Sequence, residues 1–185
     1  MSIKDLIENR RSIRRHEQKQ VEASVLNELL HLSAGLCPHP QRLEGTRFLL
    51  ANEQDTRSRL SRTMTDAFSL TKLGKWLPDK LLEATYNRFM EIPGHLVVIT
   101  EQEDEYIAEA SYMMQSLQLL AWERGIGMLW DTDELLYSPK LLESLSLKQN
   151  ERMLGIIHYG YFIKAPRPRK RTPATKRWIV YSATE

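Results

Sequence analysis

Arg10-Arg11-Ser12-Ile13-Arg14 gathers three guanidinium groups and a hydroxyl directly behind a stretch that reads as a short helix. Guanidinium groups grip a phosphate bidentately, and a serine hydroxyl adds a neutral donor or acceptor. The same residues also suit a helix C-terminus, where cations meet the negative end of the dipole. A second anion-binding candidate is Pro166-Arg167-Pro168-Arg169-Lys170-Arg171-Thr172-Pro173. Its alternating prolines keep the chain extended, so Arg167, Arg169 and Arg171 point to a common side. Lys164 to Arg177 holds seven basic residues and no acid, while the whole chain carries only +2. Basic clusters at opposite ends of a nearly neutral chain suggest an anionic ligand. A solvated basic tail is the alternative. A nucleic-acid patch is another, but the basic residues are not interleaved with aromatics.

Glu123-Arg124-Gly125-Ile126-Gly127-Met128-Leu129-Trp130-Asp131-Thr132 reads as a helix end, a Gly-x-Gly turn, a strand and then polar residues. Glycines here permit close backbone approach to a flat ligand, or simply make a helix-to-strand turn. A G-x-G-x-x-G between a strand and a helix is missing, which excludes a Rossmann domain. The single cysteine, Cys37, excludes an intramolecular disulfide, and nothing in the sequence resembles a four-ligand zinc site. No activating pattern surrounds it, so it reads as a buried filler. His39 is either a ligand contact or an exposed loop residue. His95 and His158 sit in apolar strands and read as core or cleft-lining residues. Met113-Met114 reads as core packing.

Hydrophobic spacing supplies the elements that must carry these groups. Ser2 and Asp5 form a capping box for a helix over residues 3–9. A second helix spans about 22–34, with Gly35 at its end. Cys37-Pro38-His39-Pro40 is a loop, because two prolines exclude helix interior. Residues 48–51 read as a strand, 54–89 as irregular helix broken around 72–78, and 95–100 as the clearest strand. A long helix covers about 103–124, apolar on several sides and therefore central or interfacial. A strand at 126–130, a short helix at 139–145, and strands at 153–161 and 178–181 follow. The pattern is α+β with one domain over residues 1–185. The N-terminus lacks a secretory pattern, and no apolar run approaches the ~20 residues of a membrane span. A cytoplasmic protein without membrane or nucleic-acid partners is expected.

In this order and spacing the motifs resemble the nitroreductase family over nearly the whole chain, in its compact branch. The resemblance implies a mixed central sheet flanked by helices, a long central helix, and a domain-swapped homodimer. In that dimer the basic tail, 164–185, ends in a strand laid on the partner. It also implies FMN at the subunit interface, hydride from NADH or NADPH, and electrons passed to nitroaromatics, quinones or related acceptors. By position, Arg10, Arg11, Ser12 and Arg14 would hold the phosphate, ribityl chain and pyrimidine edge. Pro38, His39, Pro40 and Glu44 would reach the partner's isoalloxazine. Trp130, Asp131 and Thr132 would line the flavin from the other side, and Arg169 and Arg171 would complete the phosphate site. Trp76 is a candidate substrate gate. Catalysis would be flavin-borne, with no protein acid–base triad and no metal. Gly45-Thr46 stands where many relatives have Pro-Trp. Asp131 would place a negative charge beside the flavin and lower its potential. The alternatives are a flavin-binding protein with little turnover, or an anion- or nucleic-acid-binding module.

Overall fold

The computed structural model describes residues 2–167, 173, 178 and 179, with the backbone alone of Glu134 and Leu135. Helix α1 (Ile3–Asn9) opens as its sequence requires. The Asp5 N–H donates to Ser2 Oγ at 3.1 Å and the Ser2 N–H to Asp5 Oδ2 at 3.0 Å. α2 (Ala23–Gly35) follows, then a 3-10 turn opened by Pro40 (Pro40–Gly45) and strand β1 (Thr46–Ala51). The irregular helical region resolves into α3 (Gln54–Ser69), a 3-10 turn (Gly74–Trp76) and α4 (Asp79–Met90). β2 (Gly94–Glu101) leads into the long α5 (Asp104–Glu123) and β3 (Ile126–Asp131). A 3-10 turn (Glu134–Tyr137), α6 (Pro139–Ser144) and β4 (Glu151–Tyr161) complete the described elements.

The strands lie in the order β1-β2-β4-β3, and each described neighbour pair is antiparallel. Among the described residues the sheet is antiparallel throughout rather than the mixed sheet expected. Of the expected C-terminal strand only Trp178 and Ile179 are described; both are exposed and outside any strand, and the swap itself lies outside the described residues.

Both faces of the sheet are covered. Alternation along β2 sends Leu96 and Val98 towards Leu26 and Leu29 of α2 and Ala110, Met114, Leu117 and Ala121 of α5. It sends Val97 and Ile99 towards Leu60, Met64 and Ala67 of α3 and Leu141 of α6. Double coverage explains why β2 is an unbroken apolar run, and α5 is apolar on several sides because it packs against α2 and the Pro40–Gly45 turn as well as the sheet. Met113 and Met114 are buried, as packing requires.

One ion pair ties the far end of the sheet. Arg47 grips Glu151 with two hydrogen bonds, Nε to Oε1 at 2.9 Å and Nη2 to Oε2 at 2.8 Å. The Lys148 N–H adds a third at 2.9 Å. Arg47 above all holds the Glu151 carboxyl down to about 2. A folded-state pKa below the unfolded value adds stability above the unfolded pKa, lost as pH falls through the folded one. Acidification from about pH 4.5 to 2 should therefore remove about 2 kcal/mol at this site, after allowing for the partly exposed Arg47. Chemical denaturation across that range checks it, and Glu151→Gln should flatten that component of the profile.

Candidate cofactor-binding cleft

An open cleft of about 1630 Å³ lies on the α3–α4–α6 side of the sheet. Its strand-borne wall is Leu129 and Asp131 of β3 with His158 of β4, and Leu129 and His158 are direct register partners. Phe68, Leu70 and Leu73, at and just after the end of α3, form an apolar side. Arg14, Arg15, Lys72 and Arg88 bring positive charge to it. Apolar surface for a flat ring beside several cations for a phosphate is the donor set that FMN needs.

The Arg10–Glu17 segment is fixed by β3 and the end of β4. The Ile13 N–H donates to the Met128 carbonyl at 3.2 Å, and the Glu17 N–H to that of Tyr161 at 2.8 Å. The Ile13 side chain, 2% exposed, fills the space over Gly127, where a Cβ would lie 2.3 Å from Ile13 Cγ1. Close approach at this glycine therefore serves a protein side chain rather than a flat ligand. Gly125, at φ +73°, simply ends α5. With Ile13 locked inward, Ser12 and Arg14 on either side of it are exposed, and Arg14 lines the cleft. Arg10 and Arg11 turn elsewhere. Arg10 Nη1 donates to Gln118 Oε1 at 3.3 Å, and Arg11 donates to the carbonyls of Glu8 and Arg10. Arg11 thus plays the helix-end part that was the alternative reading of the motif.

Asp131 is held from two sides. Its Oδ1 accepts the Asp133 N–H at 3.2 Å, and its Oδ2 lies 3.5 Å from His158 Nε2. The contact with His158, above all, keeps the Asp131 carboxyl below the usual carboxylate range. His158 in turn meets His95, its register partner on β2, with the two Nδ1 atoms 2.7 Å apart. Trp130 anchors the strand next door by donating Nε1–H to the Leu154 carbonyl at 3.0 Å. Gly155 permits this crossing at φ +146°. A Cβ there would lie 2.4 Å from both the Asp131 carbonyl and Trp130 Nε1.

The remaining expected site residues are not in this cleft. Pro38, His39, Pro40 and Glu44 are exposed along α5, where the His39 N–H donates to Glu109 Oε1 at 2.9 Å. Cys37 is a buried filler as expected, its thiol pushed up to about 11 by burial and then by Glu109. Thr132 is exposed beyond β3. Trp76 is 88% exposed and outside the cleft lining, although the preceding Leu70–Leu73 stretch lines it. Arg169 and Arg171 lie outside the described residues, whereas Arg167 is described and exposed. The sequence reading missed Arg15, His16, Phe68, Lys72 and Arg88 as cleft residues. Arg15 and His16 simply continue the motif; the others stand in an irregular segment without a pattern to mark them.

A model of the nitroreductase family matches residues 7–161. The Bacillus subtilis protein YfhC, named for NAD(P)H nitroreductase activity, is 34% identical over 95% of this chain and 92% of its own length. A nitroreductase-like family protein from Bacillus cereus superposes with a TM-score of 0.86 at 33% identity, covering 98% of this chain and 96% of its own. A nitroreductase with bound FMN from Bacteroides fragilis shares the fold at a TM-score of 0.70 and 21% identity, covering 98% and 100%.

Proposed function

The chain belongs to the nitroreductase family, and from that premise we propose that it is an FMN-dependent oxidoreductase. It takes hydride from NADH or NADPH and reduces nitroaromatic, quinone or related acceptors. The observation that carries this reading is the cleft itself, which sets the apolar Leu129 and Phe68 beside Arg14, Arg15 and Lys72. FMN, when bound, supplies reversible hydride acceptance. The protein's own residues bind and orient it. Arg14 and Ser12 meet its polar edge, Asp131 borders the ring, and Arg169 and Arg171 contribute to the phosphate end.

The working unit is a homodimer. Ile3 and Ile7 of α1, Leu32 of α2 with Leu36 just beyond it, and Tyr112 of α5 are large apolar side chains left exposed. A second copy would cover them. Pro38, His39, Pro40 and Glu44 stand near α5 and away from the cleft of their own chain, which suits contact with the partner's flavin. Trp76 gates acceptor entry. The protein is cytoplasmic; among the described residues no helix is long and apolar enough to cross a membrane.

Turnover tests the proposal. NAD(P)H-driven reduction of a quinone or nitroaromatic should vanish when flavin is stripped and return on adding FMN. Activity indifferent to FMN would refute it.

A further inference from the structure

Two cations on the helical wall of the cleft stand without a counter-charge. Arg88 of α4 and Lys72, in the turn after α3, both line the cleft and are exposed. Among the described residues neither forms an ion pair, and neither lies over an aromatic ring. Neighbouring arginines are committed. Arg57 of α3 donates to the Met90 and Ile92 carbonyls at 3.4 and 3.1 Å. Arg62 pairs with Glu83 at 3.3 Å and lies 3.9 Å over the Tyr86 ring. Of the acids that line the cleft, Asp131 and Asp133 stand on the strand-borne side with Arg14 and Arg15. Glu91 is the acid beside Arg88 and Lys72, so the helical wall is net positive.

The backbone under both cations is fixed. Thr85, Arg88 and Phe89 recur at helical spacing and all line the cleft, so one stripe of α4 faces it. Besides the Arg57 clamp, the Ser58 and Tyr86 hydroxyls tie α4 to α3 at 2.9 Å. Lys72 sits in a turn closed by the Gly74 N–H, which donates to Thr71 Oγ1 at 3.0 Å. Only glycine fits at 74, because a Cβ there would overlap the Phe68 carbonyl. The hydroxyls beside the cations are already spent. Thr71 donates to the Phe68 carbonyl at 2.7 Å and Thr85 to the Leu81 carbonyl at 2.9 Å. An anion at this wall therefore meets charge rather than neutral hydroxyl donors. Phe68 and Phe89, both partly buried, add ring surface to the same wall.

We infer that Arg88 and Lys72 read a carboxylate on the acceptor, so that this cleft prefers aromatic acceptors that carry one. The inference rests on the oxidoreductase reading above and narrows its acceptor class. Phe68 and Phe89 take the ring, while the guanidinium and the ammonium take the carboxylate. Phosphate is the other anion that reaches the cleft. FMN brings one, and Ser12, Arg14 and the basic tail serve that cofactor from the strand-borne side. NADPH brings another on its ribose. A phosphorylated ribose is polar on all sides and gains little from two phenyl rings, whereas a ring bearing a carboxylate uses both halves of this wall.

Two measurements on FMN-loaded protein test this. The first compares 4-nitrobenzoate with its methyl ester, which lacks the charge. In Arg88→Gln the ratio of kcat/KM for the acid over the ester should fall about 10-fold, chiefly through KM, as for one charge-assisted contact at an exposed site. Arg88→Lys should keep most of the ratio, and adding Lys72→Gln to Arg88→Gln should lower it further. Equal loss on both acceptors would mean a structural role. Weaker FMN binding by Arg88→Gln would assign the residue to the flavin phosphate. A lost preference for NADPH over NADH with the acceptor ratio intact would assign it to the donor. Each of these three results would overturn the inference. The second measurement is calorimetric titration with benzoate, with benzamide as the uncharged control. The parent should bind benzoate the more tightly, and both salt and Arg88→Gln should remove that advantage; equal binding of the two would overturn the inference. Failure of the parent to reduce either nitro compound would instead strike the oxidoreductase reading, and the benzoate titration would still decide the pair.

Discussion

Arg14→Ala is expected to weaken FMN binding about 10- to 100-fold, the range for losing one charge-assisted hydrogen bond to a phosphate or a polar ring edge. Arg14 is exposed and lines the cleft, and no ion pair among the described residues competes for it. Its backbone neighbour Ile13 fixes its direction by packing over Gly127. The Arg14 backbone is thus held in place before any ligand arrives, which lowers part of the ordering cost of binding. Fluorescence titration with FMN reads the affinity. Lys4→Ala, which removes an equal charge on exposed α1, should leave it unchanged. An affinity unmoved by Arg14→Ala would place the phosphate and pyrimidine contacts elsewhere.

Gly155→Ala should cost about 3 kcal/mol, because two penalties coincide at one position. The backbone sits at φ +146°, which side-chain-bearing residues rarely adopt. The added Cβ would also press at 2.4 Å on the Asp131 carbonyl and on Trp130 Nε1. Neither neighbour can yield cheaply, since Trp130 Nε1–H is bonded to the Leu154 carbonyl and Asp131 is held by Asp133 and His158. The melting temperature should fall by roughly 6–12 °C for a chain of this size. Flavin affinity should fall with it, because the displaced atoms border the cleft. Gly35→Ala makes the control: nothing lies within 4 Å of its added Cβ, and the change should be nearly neutral.

Much of the fold was legible because its signals are local. Ser2 and Asp5 cap α1, the prolines at 38 and 40 break the chain after α2, and Gly125 stops α5. The apolar run at 95–100 became the central strand β2. The site was legible only in part, and the reason is register. His95 and His158 are 63 residues apart in sequence and adjacent only because β2 pairs antiparallel with β4. Nothing local announces that pairing. The same holds for Gly155, whose requirement comes from Trp130 and Asp131 on the neighbouring strand. Arg10-Arg11-Ser12-Ile13-Arg14 was legible as a motif. Its division into a helix cap at Arg11, an anchor at Ile13 and a cleft cation at Arg14 depended on where β3 runs.

The central claim is that this cleft holds FMN in a form that accepts hydride from NAD(P)H. Purified protein, reconstituted with FMN and freed of oxygen, should lose its visible flavin absorption when NADH or NADPH is added, and regain it when a quinone follows. Flavin that binds yet keeps its colour in the presence of both donors would contradict the claim and leave a binding protein without turnover. A chain that takes up no FMN at all would contradict it at the cleft itself.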